Sequence, residues 1–131
     1  MSDQQSVNQL FSTYAWAIDA REFDLLNGVF SEDASFVVSI AGTVAAGPFE
    51  GRTALVDFIS STTREQTDQR RHVITNVRIA GDDQATATLT LLVVDGGVLT
   101  VKSCGFYRVE LVQEGGAWRI RMMDLALDLG F

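Results

Sequence analysis

The stretch QATATLTLLVVD, residues 84–95, divides its side chains between two faces: Ala85, Ala87, Leu89, Leu91 and Val93 on one, Gln84, Thr86, Thr88 and Thr90 on the other. A period of two is that of a β-strand with one face buried and one wet. Gly81-Asp82-Asp83 precedes it and Gly96-Gly97 follows, residues that tolerate positive φ and close tight hairpins. Reading outward, Arg71 to Ala80, Val98 to Val112 and Ala117 to about Leu127 are three further strands, the last two separated by Glu114-Gly115-Gly116. Consecutive hairpins predict an antiparallel meander across the second half of the chain.

The first half carries a different period. From Ser2 to about Ala20, Val7, Leu10, Phe11, Tyr14 and Ile18 fall at the i, i+3, i+4, i+7 spacing of a helix with one buried face, and Ser2 with Gln5 reads as its capping box. Phe23, Leu26, Val29 and Phe30 suggest a second short helix closed by Ser31-Glu32-Asp33. Ala34 to Val44, punctuated by Gly42 and Gly47-Pro48, reads as a hairpin or a strand with an irregular return. Glu50-Gly51-Arg52 opens a third helix to about Gln66, with Ala54, Leu55, Phe58 and Ile59 on one face. Helices first and a curled antiparallel sheet after is the α+β class, one domain over residues 1–131, with a pocket between the layers.

Composition limits the function classes. A net charge of -7 and a pI near 4.5 oppose a phosphate-backbone footprint, so no nucleic acid is expected as partner. Only Arg64, Arg70 and Arg71 approach a basic cluster. Cys104 is the sole cysteine, which leaves no intramolecular disulfide and no cysteine-based zinc site. Hydrophobic residues at 47% and a mean hydropathy of +0.14 are on the apolar side for a soluble monomer, as a cavity or a subunit interface would require. The first residues lack a secretory signal and no apolar run reaches membrane-spanning length, so a soluble, cytoplasmic protein with no membrane partner is expected.

One histidine is present, His72, where an Arg-Arg-His run enters an apolar strand. It is the side chain best suited to move protons near neutral pH. It reads either as catalytic or as a strand-start residue, bonded to a backbone carbonyl or exposed beside Arg70 and Arg71. Period-two alternation carries Asp95 to the core side of its strand; turn chemistry instead assigns it to the Gly-Gly turn. Asp19 is poorly placed at a helix C-terminus, and reads either as a capping box with Glu22 or as a pocket carboxylate. Tyr14 lies on the apolar stripe, either as plain core or as a donor to a substrate carbonyl. Asn76 shares the strand face of His72 and Ile74 by alternation. Cys104, Trp16, Phe106 and Trp118 read as core, some lining the cavity, and Phe36, Val38, Phe58, Leu91, Phe106 and Met123 are expected to shape it. One histidine without a usable cysteine predicts no metal. Neither a glycine-rich phosphate loop nor a Gly-x-Ser-x-Gly elbow is present.

Four segments together, YAWAIDAREFDLL from Tyr14, VFSEDA from Val29, FEGR from Phe49 and RHVITN from Arg71, resemble the SnoaL-like branch of the nuclear-transport-factor-2-like superfamily. The resemblance covers nearly the whole chain and implies a cone-shaped fold, three helices packed in a curved sheet around a deep apolar pocket, often as dimers or trimers. Within the superfamily the chain is similar to the dehydratase group that includes scytalone dehydratase and bile-acid 7α-dehydratase. That similarity implies Tyr14, Asp19, His72 and Asp95 as catalytic residues and Arg121 as a pocket arginine. The second histidine and extra tyrosines of scytalone dehydratase have no counterpart here.

These readings converge on a cofactor-independent lyase that removes water from an apolar, ring-containing hydroxy-ketone, steroid- or polyketide-like, through an Asp19–His72 dyad. Trp16, Phe36, Phe58, Asn76, Leu91, Phe106 and Arg121 are the expected substrate contacts, and a homodimer or homotrimer is the expected assembly. An isomerase of the ketosteroid-isomerase or polyketide-cyclase kind, and a noncatalytic binding protein or dioxygenase small subunit, are the alternatives, since one fold hosts many functions.

Overall fold

The computed structural model describes residues 3–131. Its elements run α1 (Gln4–Asp19), a 3-10 helix (Phe23–Gly28), β1 (Phe30–Ile40), β2 (Thr43–Glu50), α2 (Arg52–Glu65), β3 (Gln69–Gly81), β4 (Gln84–Asp95), β5 (Val98–Glu114) and β6 (Ala117–Leu127). The six strands form one sheet in the order β2-β1-β6-β5-β4-β3. All neighbours are antiparallel except β1 and β6, which run parallel. The meander expected from the turns is present, and the chain has the α+β architecture.

Local chemistry explains most boundaries. Asp3 caps α1, its carboxylate accepting the Ser6 N–H at 2.8 Å; the Ser2 half of the expected capping box lies outside the described residues. α1 ends where Arg21 adopts φ 58°, a left-handed conformation that breaks the helical ladder. The second helix is shorter than expected and of the 3-10 type: Phe30 and Ser31-Glu32-Asp33 already belong to β1, which places Phe30 beside Ile120 of β6. In α2 the buried stripe is Leu55, Ile59 and Thr63, with Ala54 turned to solvent.

The core lies between the helices and the concave sheet face. Tyr14, Phe11 and Leu26 from the first helices meet Tyr107, Phe30 and Met123 from the sheet, all fully buried or nearly so. At Gly105 the bend of β5 brings the backbone of Ala126 and Leu127 so close that an added Cβ would lie 2.8 Å from Leu127 Cα. No side chain fits there.

Bulges shift the period-two pattern within strands. Thr75 pairs with Thr88 but Arg78 with Thr86, so β3 has one residue more than β4 over this step, and Asn76 takes φ 53° in the gap. The buried face of β3 therefore reads His72, Ile74, then Val77 and Ile79. Asn76, expected beside His72, is exposed on the convex side near Phe106 and Arg108. Among the described residues no helix is long and apolar enough to cross a membrane.

Candidate active site

Asp19, at the last turn of α1, faces the start of β3. Its Oδ2 accepts the backbone N–H of His72 at 2.8 Å, and its Oδ1 lies 2.6 Å from Nδ1 of the same residue. Both side chains are 13% exposed. The expected capping role is thus replaced: the 3-10 helix that follows has no side-chain cap, and both Asp19 oxygens serve His72. A carboxylate can only accept from Nδ1–H, so the neutral imidazole keeps its free lone pair on Nε2. His72 lines the cavity together with Tyr14.

Tyr14 stands edge-on to the imidazole, ring centroids 6.2 Å apart at 81°. Its hydroxyl accepts from the hydroxyl of Tyr107 at 3.4 Å, a long contact for two hydroxyls. Accepting from Tyr107 leaves the Tyr14 hydrogen free to donate. Burial pushes the Tyr14 hydroxyl up to about 12, with the Asp19 charge adding to the rise and Tyr107 opposing it. Tyr107 is raised well above the ordinary tyrosine value, again chiefly by burial. Both phenols are therefore neutral donors at any ordinary pH.

The cavity, about 70 Å³, opens between α2 and the concave sheet. Phe36, Val38, Phe58, Leu89 and Leu91 supply apolar wall, while Tyr14, His72, Arg70, Thr62, Thr63 and Gln66 supply polar groups. Phe58 stacks on Phe49 at 4.2 Å and tilts against Phe36, which fixes one side of the opening.

Several expected site residues lie elsewhere. Asp95 is exposed, because β4 leaves the core after Val93 and the last two residues belong to the projecting hairpin. Trp16 is 59% exposed, two positions beyond Tyr14 and off the buried stripe, with its indole N–H on Glu22 at 2.9 Å. Phe106 is 55% exposed because Tyr107 takes the inward position of β5. Arg121 falls in the irregular step of β6 between Ile120 and Met122 and pairs outward with Glu110 at 3.3 Å. Cys104 is half-buried on the outer face, its thiol on Asp128 at 3.4 Å, and Met123 is in the core without lining the cavity. The structure thus gathers Tyr14, Asp19, His72, Phe36, Phe58 and Leu91, and separates Asp95, Trp16, Asn76, Phe106 and Arg121 from them.

Two polar residues escaped the sequence reading. Arg70, two residues before His72, shares its inward face, and Tyr107 alternates with the buried Val109 and Leu111. Both were marked by period two. Among the described residues, no three of the His, Cys, Asp and Glu side chains gather as a metal-holding group.

The chain belongs to the SnoaL-like domain family, which matches residues 1–124. Solved structures of similar fold include a protein described as the β subunit of an aromatic-ring-hydroxylating dioxygenase from Novosphingobium aromaticivorans, 20% identical, TM-score 0.82, covering 98% of this chain and 90% of that one. Another, from the same organism, is an NTF2-like protein with a cystatin-like fold, 20% identical, TM-score 0.80, covering 95% of this chain and 81% of its own. At these identities the likeness is one of fold. A D-aminoacyl-tRNA deacylase of Pseudomonas putida is 36% identical over 64 residues, 49% of this chain and 44% of that protein, so the match spans less than half of either.

Proposed function

We propose that the protein is a cofactor-independent dehydratase acting on an apolar, ring-containing hydroxy-ketone. The observation that carries this reading is the double grip of Asp19 on His72, which leaves Nε2 of a cavity-lining imidazole unclaimed beside a neutral phenol. His72 Nε2 takes the proton from the carbon next to the carbonyl, and Asp19 stabilises the imidazolium that forms. The Tyr14 O–H donates to the enolate oxygen. Nε2–H then protonates the hydroxyl on the next carbon, its C–O bond breaks, and water and an unsaturated ketone leave. The narrow cavity favours a one- or two-ring substrate over a four-ring steroid.

The position of Asp95 outside the cavity also supports an isomerase, since one base and one oxyanion donor are enough to move a proton between two carbons. Incubation of candidate ketones in heavy water tests both at once. Wild-type protein is expected to exchange the hydrogen next to the carbonyl, with loss of water in the mass spectrum for a dehydratase and unchanged mass apart from deuterium for an isomerase. No exchange above the level of His72→Ala, across a broad set of ketones, would leave a noncatalytic binding protein or a subunit of a larger oxygenase.

Exposed apolar side chains at the far end of the β4–β5 hairpin, Val98 at 60%, Leu99 at 63% and Val101 at 66%, support self-association as a homodimer or homotrimer. Light scattering on the purified chain tests this; a monomer at high concentration overturns it.

A further inference from the structure

Among the described residues, Arg70 is the one lysine or arginine on the cavity wall. It sits on the inward face of β3 opposite Val93, as His72 does opposite Leu91. Its side chain is only 12% exposed. Nε donates to Asp68 Oδ1 at 3.0 Å and Nη2 to Asp68 Oδ2 at 3.4 Å. Among the described residues Asp68 is its only side-chain partner, so Nη1 and the outer edge of the guanidinium are left over. An arginine presents two forks; here Asp68 takes the Nε–Nη2 one, and the residue lines the cavity.

We infer that Arg70 selects a substrate bearing a carboxylate, which it holds on its Nη1–Nη2 edge while the apolar body reaches past to His72. This rests on the reading of the cavity as a substrate site and deepens it. Two residues along a strand set the Cα atoms of Arg70 and His72 roughly 6–7 Å apart on one face, close enough for one small molecule to meet both. Arg70 borders both the main cavity and the smaller cleft beneath the end of α1 with Gln66 and Asp68, which places the charge toward the start of β3 and the reacting carbon deeper. A chain of net charge -7 repels anions at long range, so a cation on the cavity wall has its use at contact distance. Asp68 orients the fork and weakens its charge.

Matched probes test the inference: naphthoate and its neutral amide, titrated into the protein and followed by NMR. The wild type is expected to bind naphthoate at least about tenfold more tightly than the amide, as a charge-assisted fork would give. Arg70→Met is expected to lose that preference, Arg70→Lys to keep only part of it, and Asp68→Asn to increase it. His72→Gln is expected to leave it intact. Equal affinity for the two probes, binding of neither to the wild type, or a preference that survives Arg70→Met overturns the inference. Should Arg70→Met not fold, a full preference in Arg70→Lys or no rise in Asp68→Asn does the same. A preference lost in His72→Gln instead makes the imidazole the anion site and also overturns it. Proton exchange that persists in His72→Gln defeats the dyad alone, because the probe preference is read from binding without turnover.

Discussion

Asp19 spends both carboxylate oxygens on a single residue, His72, one on the ring Nδ1 at 2.6 Å and one on the backbone N–H at 2.8 Å. The second bond fixes where the carboxylate stands, and the first fixes which way the imidazole points. Together they tie the end of α1 to the start of β3 and choose the tautomer with Nε2 free.

Asp19→Asn should therefore be far more damaging than its size suggests. If the amide oxygen keeps the backbone N–H, the NH₂ group faces Nδ1 and drives the ring proton to Nε2, turning the proposed base into a donor. Proton exchange from a ketone substrate is expected to fall by about 10²–10⁴-fold, the range of a positioned acid–base group. The nitrogen-15 spectrum of the lone histidine should show the proton moving from Nδ1 to Nε2; an unchanged tautomer would sink the argument.

Tyr14→Phe removes the donor that the proposed mechanism places on the enolate while keeping the ring. Turnover is expected to fall by about 10²–10³-fold, and Tyr107 loses its acceptor, at about 1–3 kcal/mol of stability. Kinetics and denaturant unfolding measure the two effects separately. A variant with full turnover would assign Tyr14 to the core alone.

The chain has two tyrosines, Tyr14 and Tyr107, and both are buried and raised, Tyr14 to about 12. Their folded values exceed the unfolded value near 10, so the stability they contribute is complete below pH 10 and is lost as pH rises toward and through 12. Absorbance of tyrosinate should stay flat at pH 10–11 and then rise together with the loss of circular dichroism. Ordinary titration of either phenol near pH 10 in the folded protein would contradict the burial.

Asp95→Asn is expected to be silent, within about 0.5 kcal/mol in stability and without effect on proton exchange, because the side chain is exposed in the hairpin. Loss of activity would return Asp95 to the site.

Gly105→Ala should cost about 1–3 kcal/mol or more, since a Cβ would enter the backbone of β6 at Ala126 and Leu127. Thermal unfolding measures it, and a neutral result would mean the two strands part easily at this point.

The alternation of Gln84 to Val93 and the Gly-rich turns made the meander legible, and the stripe of Val7, Leu10, Phe11 and Tyr14 made the first helix so. What failed was the extension of a local period across a break. Asp95 was carried one step beyond the last buried residue, Val93, and Asn76 across a bulge that reverses the two faces. Phe106 was assigned inward although its neighbour Tyr107 holds that position. The resemblance points to Arg121 as the pocket arginine, whereas Arg70, two residues from the histidine on the same face, lines the cavity. Bulges and strand ends depend on contacts between strands, which a single strand's sequence does not contain.

The supernumerary residue of β3 has a consequence for how this chamber could change. Deleting Asn76 would leave His72, Ile74, Val77 and Ile79 in one unbroken alternation, all still turned inward, while taking the bend out of the strand. The curvature of the wall and the identity of the residues lining it are thus set at separate places in the chain. A gain or loss of one amino acid at this joint could deepen or flatten the vessel without rewriting a single side chain that faces its contents.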